Sequence, residues 1–123
     1  MKINALPYQF TVCKLKSAGD FPVDKDFCFT AITDEEISLV CRSSDVPEDT
    51  VIRDDGWKGF RIEGVLDFSL IGILAKISTL LAENNIGIFA VSTYNTDYIF
   101  VKEENFEKAL SSLKNNGYEI SFL

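Results

Sequence analysis

No histidine occurs among the 123 residues. The commonest general base is therefore missing, and so is the commonest metal-binding side chain. Glycine-rich phosphate loops, HExxH and GxSxG patterns are absent as well. Positive charge is scarce: 12 Lys+Arg face 19 Asp+Glu, a net charge of −7, with no basic cluster. Nucleic-acid binding needs clustered cations against phosphate, so that class is excluded as a partner. An anionic membrane surface is disfavoured for the same reason. Only three cysteines are present, Cys13, Cys28 and Cys41, and no two form a CxxC pair. That usage does not suit a secreted disulfide framework, and the apolar surroundings predict three buried free thiols. The longest apolar run, residues 70–75, is far too short to cross a bilayer. The first seven residues hold no apolar leader core. The expectations are a cytoplasmic protein with no cofactor, no metal site and no catalytic residues.

What is present suits a small folded module. Apolar residues make up 46% and charged residues 25%, close to the globular average. Ten phenylalanines supply a large apolar payload for a core or an interface. The chain is long enough for one core, or for two half-domains.

Periodicity organises the second half. Phe60 and Ile62 alternate with Arg61 and Glu63, which predicts a half-buried strand. Leu70, Ile73, Leu74, Ile77 and Leu81 then share one helical face, predicting a helix over 69–84. Asp67 or Ser69 suits its start, and Asn84–Asn85 its end. Residues 86–94 are rich in β-branched and aromatic side chains, and 98–101 return after a short turn. Phe106, Ala109, Leu110 and Leu113 stripe a second helix over 103–116, and Gly117 closes it. Tyr118, Ile120 and Phe122 alternate as a last strand. The order β-α-β-β-α-β predicts a ferredoxin-like α+β unit: a four-stranded antiparallel sheet with both helices on one face.

The first half predicts strands at 8–15, 27–32 and 36–41, with polar loops at 17–26 and 43–56. It reads as a strand-rich, reduced copy of the second half. The expected boundary lies near Gly56, giving segments 1–55 and 56–123. The acidic pairs Asp34/Glu35 and Asp54/Asp55 sit in turn-like stretches and read as solvated.

Two runs are more specific than periodicity. Glu63-Gly64-Val65-Leu66-Asp67-Phe68-Ser69-Leu70-Ile71-Gly72-Ile73-Leu74 leads into the first helix. Ser92-Thr93-Tyr94-Asn95-Thr96-Asp97-Tyr98-Ile99-Phe100-Val101 spans the hairpin. Together they resemble the ACT domain, and within it the small bacterial tandem-ACT proteins and the cytosolic arginine sensors of animals. The resemblance implies a reduced ACT-like half followed by an ACT domain, and side-by-side pairing of domains, here as a homodimer. It also implies regulation by a small molecule, usually an amino acid. The implied ligand-binding residues are the loop of Gly64, Val65, Leu66, Asp67, Phe68, Ser69 and Leu70, facing Gly87 and Ile88, with Asp97 as an acidic partner.

Each of these residues also has a purely structural role open to it. Asp67 can cap a helix, Asp97 can shape a turn, and Gly87 can end a helical region. Two functions stay open on the sequence: an amino-acid-binding regulatory module, and an interaction domain with no ligand. An acyl-phosphate hydrolase on the same fold would need an arginine in the loop after the first strand, and residues 64–70 hold none.

Overall fold

The computed structural model describes residues 1–64 and 71–123. Its strands are β1 (Lys2–Ala5), β2 (Phe10–Leu15), β3 (Phe29–Ile32), β4 (Ile37–Arg42), β5 (Thr50–Ile62), β6 (Ile88–Ser92), β7 (Asp97–Lys102) and β8 (Glu119–Phe122). Two α-helices are described, α1 (Ile73–Glu83) and α2 (Phe106–Asn115). The chain forms two compact units, Met1–Pro7 with Lys58–Leu123, and Tyr8–Trp57. Strand β5 contributes its start to the second of these and its end to the first.

In the unit holding both helices the strand order is β6-β7-β5-β1-β8. Helices and strands share one apolar core. Ile77 and Leu81 of α1, with Ala109, Leu110 and Leu113 of α2, pack on Phe60, Ile62, Ile99 and Val101. Both helices therefore cover the same face, as the β-α-β-β-α-β pattern predicts. Each fully buried Leu, Ile or Phe here contributes roughly 1.5–3 kcal/mol relative to exposure. One strand departs from the expected four. Lys2–Ala5 lies between β5 and β8, antiparallel to the first and parallel to the second. Among the described residues this unit therefore has five strands, with β1 and β8 a parallel pair.

Both helices end in the same way. At α1, Asn85 takes a left-handed φ of 61°. Ile86 N donates to Leu81 O (3.0 Å) and Asn85 N to Ala82 O (3.0 Å). At α2, Gly117 has φ 93°. Tyr118 N donates to Leu113 O (3.1 Å) and Gly117 N to Lys114 O (3.2 Å). These are paired Schellman closures that satisfy the last carbonyls. The start of α1 differs from expectation. It begins at Ile73, after Gly72 at φ 81°, with no side-chain cap bond. Asp67 and Ser69, the expected caps, lie outside the described residues.

The other unit has strand order β3-β4-β2-β5. In chain order its four strands sit as the four strands of a ferredoxin-like sheet do. Short 3-10 helices, Ala18–Asp20 and Ser43–Asp45, stand where that fold carries α-helices. Its core holds Cys13, Leu15, Leu39 and Cys41, with Phe21, Cys28, Ile37 and Val46 against them. Cys13 and Cys41 are buried as expected, whereas Cys28 is half-buried. Residues 50–56, expected as polar loop, are the first half of β5. Asp55 there accepts from the buried Thr11 hydroxyl (2.5 Å) and pairs with Arg53 (2.9 Å).

Candidate functional site

The expected site residues fall at two ends of the same sheet. Gly64 follows β5 with φ 91° and is exposed. Residues 65–70, which carry Val65, Leu66, Asp67, Phe68, Ser69 and Leu70, lie outside the described residues. Just beyond them Ile71 is 93% exposed at the approach to α1.

The turn after β6 sits at the exit of β5. Thr96 is buried, and its hydroxyl donates to Ile62 O at 2.9 Å. This bond closes a turn already held by Thr93 N donating to Thr96 O at 2.9 Å. Asp97 follows directly. Ser92 Oγ donates to its Oδ1 at 2.6 Å, across a register pair of β6 and β7. Ile99 and Val101 of the same strand bury into the helix-side core, so two-residue alternation places Asp97 on that face. Asp97 is half-buried. Its second carboxylate oxygen retains the acceptor capacity that a cation or ammonium group would use. Thr96 and Ser92 were not singled out from sequence, because a Thr beside an Asn in a turn reads as turn chemistry alone.

Gly87 and Ile88 are at the opposite end. β6 runs from Ile88 to Ser92 and pairs Ile88 with Val101 and Ser92 with Asp97. Four steps of about 3.3 Å separate those ends by roughly 13 Å. Ile88 packs partly into the helix-side core, and Gly87 is exposed with open space where a Cβ would stand. The fold therefore brings Asp97 beside the β5 exit and leaves Gly87 and Ile88 away from both.

A separate open cleft of about 370 Å³ flanks the start of α1, with Ile73, Lys76, Asn116 and Tyr118 in its lining. Asp97 is not part of it. Among the described residues no group of three or more Cys, Asp or Glu is arranged to hold a metal ion. No described helix is long and apolar enough to cross a membrane.

The unit holding both helices carries a ferredoxin-like β-α-β-β-α-β run with one added strand, and the unit Tyr8–Trp57 has four strands in ferredoxin-like order with no α-helix among the described residues. Residues 52–115 match the family model of the ACT domain, and the chain belongs to that family. Its fold recurs in solved structures. A protein from Agobacterium tumefaciens is 29% identical at a TM-score of 0.87, over 99% of this chain and 92% of the other. A Vibrio cholerae protein of unknown function is 20% identical at 0.72, over 91% and 86%. The regulatory subunit of aspartate kinase from Thermus thermophilus is 10% identical at 0.64, over 94% and 96%. Membership of the ACT family places the chain among regulatory, ligand-binding modules.

Proposed function

We propose that the protein is an amino-acid-binding regulatory module, without catalysis of its own, that signals through a partner or its own homodimer in the cytoplasm. The observation that carries this reading is the Asp97 carboxylate, on the helix side of the sheet and tied through Thr96 to the exit of β5. The N-terminal end of α1 offers the backbone N–H groups of its first turn to an α-carboxylate. Asp97 supplies a charge-assisted acceptor for an ammonium or a cationic side chain. Gly87 and Ile88, about 13 Å away along β6, reach the same ligand only from a second copy. The resemblance to aspartate kinase regulatory subunits agrees with a module whose output is passed on. A second reading, a pairing domain with no ligand, is favoured by the unit that lacks α-helices among its described residues.

A thermal-shift screen against the common amino acids, followed by calorimetric titration, tests the first reading. A ligand at about 100 times its Kd adds roughly 2.7 kcal/mol of stability. Asp97→Ala should then weaken binding by about 2–5 kcal/mol, at least thirtyfold. Asp34→Ala, in the exposed turn between β3 and β4, should leave affinity unchanged. No shift with any amino acid leaves the pairing domain as the better reading.

A further inference from the structure

The three cysteines, scattered in sequence, converge on the core of the unit Tyr8–Trp57. Strand register separates their possible pairings. β3 pairs with β4 at Phe29↔Val40, so the next position outward sets Cys28 opposite Cys41. Residues opposite each other on antiparallel strands have Cα atoms about 4.5 or 5.5 Å apart. Disulfides span Cα separations of about 4.4–6.8 Å, so either spacing can be bridged. Both side chains turn to the same core, Cys41 within it and Cys28 against it. Cys13 stands differently. It pairs with Leu39, two residues from Cys41 along β4. That diagonal is about 7–8 Å, past the bridging limit of about 7 Å. Cys13 and Cys28 have the whole of β4 between them, at least about 9–10 Å at two strand spacings.

We propose that Cys28 and Cys41 form a reversible cross-strand disulfide under oxidation by a low-molecular-weight disulfide such as glutathione disulfide, and that Cys13 stays a free thiol. Cys28 is the half-buried member and meets the reagent first. Its thiolate attacks one reagent sulfur, the reagent S–S bond breaks, and one small thiolate leaves. Cys41 then gives up its proton, and its sulfur attacks the Cys28 sulfur of the mixed disulfide. The second small thiolate leaves, and both leaving thiolates take up protons. Two protein thiols and one reagent disulfide become one protein disulfide and two small thiols. Burial pushes the Cys41 thiol up to about 12, with the neighbouring Cys13 and Cys28 adding to the effect, so the second step sets the pace. The product ties β3, whose described ladder partner is β4 alone, to the rest of its unit. The bridge is a redox lock on an edge strand of that unit.

The test uses the full chain. Native protein is equilibrated with glutathione disulfide, quenched in acid, alkylated under denaturing conditions and weighed intact. One alkyl group per chain is expected, where the reduced protein takes three. Trypsin cuts after Lys25 and Arg42 and leaves both partners in fragment 26–42. That fragment should be unlabelled and about 2 Da lighter than its reduced form. Cys13→Ser should still bridge, and Cys28→Ser should form no intramolecular bridge. Three alkyl groups at equilibrium, a lasting glutathione adduct on Cys28, or any bridge through Cys13 would overturn the assignment.

Discussion

Gly59 sits in β5 under the ring of Phe100, and adding a single methyl there measures how closely the sheet face turned away from the helices is packed. A Cβ built on Gly59 would stand 2.8 and 2.9 Å from two Phe100 ring carbons and 3.4 Å from Ile99 O. Phe100 cannot swing aside into water. It is fully buried and stacked on Phe89 with ring centroids 4.8 Å apart. Relief must come from a displaced ring pair or a local parting of β5 from β7. Overpacking of this kind costs about 1–3 kcal/mol. Alanine returns about 0.5–1 kcal/mol because glycine is the poorer strand residue. Gly59→Ala should therefore lose up to about 2.5 kcal/mol. At a urea m-value of about 2 kcal/mol/M, the unfolding midpoint should fall by up to about 1.2 M. The same change in a Phe100→Leu background meets no ring edge. There it should be neutral, or stabilising by about 0.5 kcal/mol, which gives a coupling of about 1–3 kcal/mol between the two positions. A Gly59→Ala protein as stable as wild type, with no coupling to Phe100, would refute the close approach.

Two further outcomes test the cores. Phe106 is 5% exposed in the helix-side core, with Lys58 Nζ 4.9 Å from its ring centroid. Phe106→Ala should cost about 3–5 kcal/mol in chemical denaturation, and a loss below about 1 kcal/mol would mean α2 does not pack as described. Cys41, raised from 9.0 to about 12 by burial, keeps its proton in the folded chain after the unfolded chain has lost it. Its contribution is therefore complete below pH 9 and is lost as pH rises towards 12, at up to about 1.4 kcal/mol per pH unit. Wild type minus Cys41→Ala, measured from pH 8 to 11, isolates this slope from other groups, and parallel curves would contradict it.

The long periodic segments were readable because their partners are close in the chain. Ile77 and Leu81, or Ala109, Leu110 and Leu113, mark a buried helical face whatever packs against it. Three features escaped for physical reasons. Lys2–Ala5 is four residues long, and its sheet neighbours are Phe60, Arg61 and Ile62 on one side and residues 119–122 on the other. Nothing local marks so short a strand. Residues 50–56 carry Asp54, Asp55 and Gly56 and read as a linker, yet Asp55 is anchored to Thr11 through a bond across 44 residues. Cys28 reads as a core thiol from its neighbours Phe27 and Phe29, but Phe27 takes a φ of 56° and the strand begins only at Phe29. The candidate site was readable in part. Asp97 was marked by its run, while the Thr96–Ile62 bond that positions its turn depends on β5 and β7 meeting.

On the proposed amino-acid-binding reading, the distance between Asp97 and Gly87 would make self-association a measurable part of binding. If one ligand touches both positions, and one chain holds them about 13 Å apart along β6, the two contacts come from different copies. Gly87 can be changed without disturbing its own unit, since a Cβ there meets nothing within 4 Å. Gly87→Val should therefore fold normally and still block the close approach of a ligand. Asp97→Ala should remove the acceptor from the other side of the same site. Each variant alone should bind at least thirtyfold more weakly than wild type. In a twofold pair of one Asp97→Ala chain and one Gly87→Val chain, one site receives both substitutions and the other receives neither. An equimolar mixture that exchanges freely forms such pairs half the time, so about a quarter of wild-type sites should return. Calorimetric titration reads that fraction as a stoichiometry at unchanged affinity. A mixture that binds no better than its components would show that Asp97 and Gly87 do not meet across copies. Full affinity in Gly87→Val alone would remove Gly87 from the site and leave the Asp97 end of the sheet to act by itself.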